Sequence, residues 1–392
     1  MDRAELAAWL RLDGTPGLGR QRARQLLAAF ASPQAVLQTE VAALAQVVGM
    51  PLAEALQQPP PGFDALLDTT WAWLQGTQEK AEDTAEDAGG LQGPGPGASR
   101  RITVLGDSDY PAAFLTIEDP PLMLYLLGRP LPGPATGAIA IVGSRNPTPQ
   151  GLEDAHAFAA HFAAAGLTVV SGLAQGIDGA AHEGALEGAA GSGRCATVAF
   201  VGTGLDRVYP RRHLKLAHRI AAAGCLASEY PLGTPPLPHN FPRRNRLIAG
   251  LALGTLVVEA AQPSGSLITA RVANEQGKDV FAIPGSIHSP MSRGCHALIR
   301  QGAKLVESAQ DVMEELRLPA AAAPGAMELA ADDDAADDPL LEALGWAPAG
   351  IEALVARTGM PASTIQVRLL ELELDGQVAR MTGGLVQRMA KA

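Results

Sequence analysis

Cysteine is scarce in this 392-residue chain, and the three present, Cys195, Cys225 and Cys295, are odd in number, far apart and outside any C-x-x-C pair. This excludes a disulfide framework and a cysteine-based metal site, and predicts buried free thiols. The eight histidines form neither H-E-x-x-H nor H-x-E with a cysteine pair, so no metal or other cofactor is expected. Apolar residues make up 47% of the chain, yet no uninterrupted run reaches the roughly 18 residues of a membrane helix. The opening "MDRAELAAWLRLDG" lacks the basic-then-apolar order of a signal peptide. A cytoplasmic protein with no membrane partner is expected.

Catalytic signatures are missing as well. There is no Ser-His-Asp order, no P-loop GxxxxGK[ST] and no carboxylate pair, which leaves Glu259, Asp178 and His182 as isolated acid/base candidates. The net charge of −11 argues against indiscriminate coating of nucleic acid, but the charge is uneven. Residues 139–310 hold 15 of the 30 Lys and Arg and only 11 of the 41 Asp and Glu. The middle of the chain is locally basic.

Residues 1–75 have helical spacing, and within them "LDGTPGLGRQRARQLLAAF" is similar to a helix-hairpin-helix or SAM-like element. Such a turn either offers N–H groups to a DNA phosphate, with Arg20, Arg22 and Arg24 nearby, or serves only for packing. Residues 76–100 read as a charged, then Gly/Pro-rich linker. From 101 to 317 the runs "AIAIVG", "LTVVSG", "CATVAFVG", "CLASEYP", "TLVVEA" and "DVFAIPG" alternate with helical segments. Continuous apolar strands separated by helices predict an α/β domain with an extended, Rossmann-like, doubly wound and mostly parallel sheet. Its ligands should sit at the carboxyl ends of the strands. Residues 318–338 form an acidic linker, and 339–392 predict three helices and a two-stranded wing turning at Gly383-Gly384, a winged helix.

The strand ends carry the chemistry. "IVGSRNPTPQG" fails as a dinucleotide fingerprint because Arg145 and Thr148 stand where G-x-G-x-x-G needs glycine. It leaves a glycine turn, Gly143, with Ser144 as a hydroxyl donor and Arg145 as a cation on a proline-stiffened loop, suited to phosphate oxygens. After the second strand, Gly172, Gly176 and Gly179 predict a backbone-rich concavity, with Asp178 as a helix cap. The third strand leads into an uncompensated basic run, Arg211, Arg212, His213, Lys215 and Arg219. "HNFPRRNRLIAG" adds Arg243, Arg244, Asn245 and Arg246 beside Phe241, cations and an aromatic ring of the kind that hold single strands. Ser264, Gly265 and Ser266 open a helix, a second anion cradle. Five loops are expected on one rim.

Together, "IVGSRNPTPQG", "SGLAQGIDGAAHEGAL", "GTGLDRVYP", "FPRRNRLIAGL", "SGSLITARVANEQGKDVFAIPG" and "GCHALIRQGAKLVES" resemble successive motifs of the DNA-processing protein A (DprA or Smf) family. They run over about residues 101–310, and the flanking domains match the family's plan. The resemblance implies a non-enzymatic protein of natural transformation that binds and protects incoming single-stranded DNA and helps load the RecA recombinase. It points to Gly143, Ser144, Arg145, Lys215, Arg244, Asn245, Arg246 and Ser264 to Ser266 as DNA contacts. It also implies a homodimer formed through about residues 280–305, with the RecA contact close by. His296 departs from the family's usual asparagine. In the winged helix, Arg368 stands against Glu371, Glu373 and Asp375, which favours a protein contact or weak duplex binding over major-groove reading. Two other classes compete. The strand-end loops also look like those of phosphoribohydrolases of the lysine-decarboxylase-like group, but Pro263 to Thr269 lacks their glutamate. A duplex-DNA regulator would need the winged helix to bind alone, against its acidic flank.

Overall fold

The computed structural model describes residues 1–76, 99–318, 338–346, 348–381 and 383–389. The linkers expected at 76–100 and 318–338 lie, except for their outermost residues, outside the described residues. The N-terminal part is helical throughout: α1 (Arg3–Gly14), α2 (Arg20–Phe30), α3 (Pro33–Gln38), α4 (Val41–Val48), α5 (Met50–Leu56) and α6 (Phe63–Gln75). Asp2 caps α1 and Ser32 caps α3, each accepting a backbone N–H from the first turn.

The central domain begins with a hairpin-like pair, β1 (Ser99–Val104) and β2 (Met123–Gly128). The alternating part then runs β3 (Ala138–Val142), α7 (Pro149–Ala164), β4 (Thr168–Ser171), α8 (Ile177–Gly188), β5 (Thr197–Phe200), α9 (Leu214–Ala223) and β6 (Cys225–Ser228). It continues with α10 (Asn240–Leu251), β7 (Gly254–Val257), α11 (Gly265–Glu275), β8 (Asp279–Ala282), α12 (Arg293–Arg300), β9 (Lys304–Leu305) and α13 (Ala309–Glu315). The sheet order is β1-β2-β6-β5-β4-β3-β7-β8-β9, parallel from β6 to β9 and antiparallel at the β1-β2 and β2-β6 pairs. All six expected strands are present. Chain order reverses between β3 and β7, so the loops leaving these neighbours diverge and open a crevice at their carboxyl ends.

Each sheet face has its own core. Ile139, Ile141 and Val169 pack on Phe162, Ala181 and Met313 from α7, α8 and α13, while Val142, Val170 and Phe200 pack on Leu247, Ile248 and Ala270 from α10 and α11. Cys225 and Cys295 are buried free thiols, and burial pushes both upward in pKa. No described helix is long and apolar enough to cross a membrane.

The N-terminal helices do not close a separate core. Leu6, Leu26, Leu56 and Trp73 share one cluster with Tyr125 and Leu127 of β2 and Ile220 of α9. At this seam Asp13 is held protonated up to about pH 6, chiefly by burial and also by Glu229, against the pull of Arg20 and Arg243. The folded state binds this proton more tightly than the unfolded chain, so stability falls as pH rises from 3.8 to about 6. Asp13→Asn is expected to melt above the unsubstituted protein at about pH 8, with the gap shrinking as pH is lowered through that window. Thermal melts across the pH series check this.

The C-terminal part comprises α14 (Pro339–Leu344), β10 (Ala349–Gly350), α15 (Ile351–Thr358), α16 (Ala362–Leu374), β11 (Val378–Arg380) and β12 (Leu385–Arg388). Its core of Leu340, Leu354, Ile365, Leu369 and Val386 is its own. The expected two-stranded wing has three strands, because Ala349 and Gly350 pair with β12. Gly383 and Gly384 both take positive φ at the turn.

Candidate nucleic-acid interface

The crevice at the β3/β7 switch is a cleft of about 430 Å³. Gly143, Ser144, Arg145 and Asn146 line it from β3, Phe241, Arg244 and Asn245 from α10, and Ser264, Gly265 and Ser266 from the start of α11. Three motifs far apart in the chain thus meet.

Local sequence explains how each is held. In "RNPTPQG" the Asn146 N–H donates to Ser144 Oγ at 3.1 Å, closing the turn, and Thr148 caps α7 with Pro149 in the first turn. Glu259 Oε2 and Oε1 accept from the Thr148 N–H and hydroxyl at 2.9 and 2.7 Å, tying the β7 loop to α7 across the switch. Arg145 projects from this braced turn, exposed and with no ion-pair partner among the described residues. Opposite it, Ser264 caps α11, accepting from the Ser266 N–H at 3.3 Å. The remaining N–H groups of that first turn and the helix dipole favour an anion.

Beside the cleft lies a second cationic element. Arg211, Arg212 and Lys215 are exposed where a short 3₁₀ turn runs into α9, and none is ion-paired among the described residues. They do not line the cleft. Tyr209, half exposed, packs against Phe241 with ring centroids 5.5 Å apart and planes tilted by 43°, and this pair bridges ridge to cleft. Tyr209 escaped the sequence reading, although its place directly before "PRRHLK" was the available signal.

A family model described as DNA recombination-mediator protein A matches residues 101–317. The chain belongs to this family. A second model, the DprA winged helix domain, matches residues 312–384. Protein Smf of Escherichia coli is 42% identical over 285 residues, 71% of this chain and 75% of that protein. DNA processing protein DprA of Streptococcus pneumoniae is 46% identical over 209 residues, 53% of this chain and 72% of that protein. The X-ray structure of DprA from Streptococcus pneumoniae superposes with a TM-score of 0.62 at 33% identity, covering 80% of this chain and 98% of that one. The family's description is that of a DNA recombination mediator.

Within this member of the recombination-mediator family, several expectations need correction. Arg244 lines the cleft but is 4% exposed, and its Nη1 donates to the carbonyls of Gly172, at 2.7 Å, and Phe200. Burial lowers its pKa to about 10, so it remains a cation. Arg246 points to the other side of α10, where it is paired with Glu229 and Asp119. Helical geometry is the reason, since consecutive residues of α10 face different directions and only Arg243 of this run is exposed. Gly172 and Gly176 do not line the cleft, and the Gly172 N–H is taken by Asp178. A side chain at Gly172 would collide with the Arg244 guanidinium, and Gly176, at φ +82, lets the Ser144 carbonyl approach.

The acid/base candidates are likewise internal. Asp178 caps no helix; its Oδ2 accepts the N–H groups of Gly172 and Ala174 at 3.1 and 3.2 Å and holds the β4 loop. It is the only carboxylate on the cleft wall among the described residues. His182 is buried, and its Nδ1 lies 2.7 Å from Thr197 Oγ1, whose own proton goes to Val169 O. Burial drops its pKa to about 3, which keeps it neutral. Arg20 of the hairpin is ion-paired inward with Asp119 and Glu229, Arg24 donates to the Glu118 carbonyl, and Arg22 is exposed. His296 Nε2 lies 2.9 Å from the Gly285 carbonyl, a loop-bracing contact.

Proposed function

We propose that the cleft and the adjoining ridge bind single-stranded DNA. The observation that carries this reading is a line of exposed cations without ion-pair partners among the described residues, Arg145, Arg211, Arg212 and Lys215, flanking the tilted Tyr209–Phe241 pair. Cations follow a phosphate backbone and exposed rings stack on bases, and only an unpaired strand offers both at once. In this reading Gly143, Ser144, Ser264, Gly265 and Ser266 supply the turn and helix start that receive a phosphate, and Asn245 faces a base or sugar inside the cleft.

The family's role in recombination supports a wider assignment: protection of incoming single strands during natural transformation and delivery of them to RecA. The protein acts as a homodimer through residues 280–305. Supporting this, the edge strand β9 borders a groove of about 370 Å³ lined by Leu267, Val280, Leu298 and Ala303. The winged helix serves protein contact. Arg368 is engaged by Asp338 and Glu371, and α16 instead exposes Val367, Leu370 and Leu374.

Titration with oligo-dT and with duplex at about 50 and 200 mM salt tests the reading. Affinity is expected to favour the single strand and to fall with salt by roughly 0.7 in log–log slope per phosphate neutralised. Lys215→Glu should reduce both affinity and slope while leaving the melting temperature unchanged. Equal binding by the Lys215→Glu and unsubstituted proteins would remove the ridge from the site.

A further inference from the structure

Helix α10 has two polar sides. One carries Phe241, Arg244 and Asn245 to the cleft; the other carries Arg246 into a buried cluster at the seam with the N-terminal helices. At the centre of that cluster is Glu229, whose side chain is 2% exposed. Its Oε2 accepts from Arg246 Nη2 and from Arg20 Nη2, the latter at 2.8 Å, while its Oε1 has no hydrogen-bond partner among the described residues. Asp119, in the loop between β1 and β2, takes Arg20 Nη1 at 2.6 Å and stands 3.4 Å from Arg246 Nε. Arg24 adds a bond to the Glu118 carbonyl at 2.9 Å. Both arginines are 12% exposed. Arg246 Nε and Nη1 make no hydrogen bond among the described residues.

A buried carboxylate shared by two guanidiniums is a sensitive joint, because removing one partner leaves charge uncompensated where water cannot reach. The joint connects α2, the first residue of which is Arg20, to the helix that presents the aromatic and amide groups of the cleft. The hydrophobic cluster shared by the N-terminal helices, β2 and α9 keeps the two parts in fixed register.

We propose that the N-terminal helical domain is a positioning module for the DNA-binding helix, with Arg20 acting through Glu229 and Arg246 to set the placement of α10. Arg20 is thus a positioning residue, which raises affinity for a single strand without touching it. This rests on the cleft being the single-strand site. It assigns the N-terminal helices a purpose that needs no DNA contact of their own.

The experiment compares full-length Arg20→Ala, Arg20→Lys and unsubstituted protein in oligo-dT titrations at several salt concentrations, with active fractions fixed by stoichiometric titration. Arg20→Ala is expected to weaken binding about fivefold with the salt slope unchanged, because no phosphate contact is lost. Arg20→Lys should recover part of the loss. Combining Arg20→Ala with Phe241→Ala should cost less than the sum of the two, since both act through α10. Unchanged affinity of Arg20→Ala overturns the proposal, and so does a drop in slope of roughly 0.7, the mark of a direct phosphate contact. Should Arg20→Ala fail to fold, Asp119→Asn at a side chain 39% exposed loosens the same joint; affinity equal to the unsubstituted protein then overturns the proposal. Failure of the unsubstituted protein itself to bind oligo-dT would instead count against the single-strand reading of the cleft.

Discussion

Replacing Arg145 with glutamate is expected to weaken single-strand binding by about tenfold or more and to leave the fold intact. A charge-assisted hydrogen bond contributes about 1.5–3 kcal/mol, and glutamate adds repulsion against the phosphate it would face. The salt slope should fall by roughly 0.7 in the same titration, since one phosphate is no longer neutralised. Stability should move by no more than about 0.5 kcal/mol, because Arg145 is exposed and has no ion pair among the described residues to lose. If anything the change helps: the positive charge of Arg145 is among the influences that depress the buried Arg244. Binding within twofold of the unsubstituted protein would take Arg145 out of the site.

The neighbouring arginine should respond in the opposite way. Arg244→Ala is expected to cost on the order of 3 kcal/mol in urea denaturation, because the Gly172 and Phe200 carbonyls lose a buried donor and each unsatisfied group costs about 1–3 kcal/mol. Lysine should not rescue, since a single ammonium cannot replace a fork that also reaches Asn245 Oδ1 from Nε at 3.2 Å. The deficit should grow with pH. Burial already raises the Asp178 pKa and Arg244 opposes that rise, so without Arg244 the folded state holds the Asp178 proton still more tightly. A raised carboxyl pKa lowers stability as pH climbs above the unfolded value, so the loss should be larger at about pH 8 than at about pH 5. A variant that binds DNA poorly while denaturing at the unsubstituted midpoint would make Arg244 a direct contact instead.

Much of the architecture was legible because it follows from local rules. Apolar runs of strand length separated by helical spacing specify a parallel sheet, and the Thr148-Pro149 and Ser264 helix starts are written as caps. The meeting of the Gly143–Arg145 turn with Ser264–Ser266 was legible too, since both follow strands and ligands gather where chain order reverses. The antiparallel β1-β2 edge was not. Neither was the merging of the N-terminal helices with it, because the packing of Trp73 on Tyr125 leaves no periodic trace in either segment.

The arginines mark the limit most clearly. The chain alone specifies the class of the protein, the strand and helix pattern, the lack of recognisable catalytic signatures and the local excess of cations over acids between residues 139 and 310. Each of these depends on residue type and spacing. Which cations are available is a matter of folding: Arg145 and Lys215 are exposed, Arg244 is bound to backbone carbonyls, and Arg20 and Arg246 are held by Glu229. A guanidinium's charge belongs to its residue, whereas its freedom to meet a phosphate depends on the helix face it occupies and on acceptors brought beside it from distant parts of the chain.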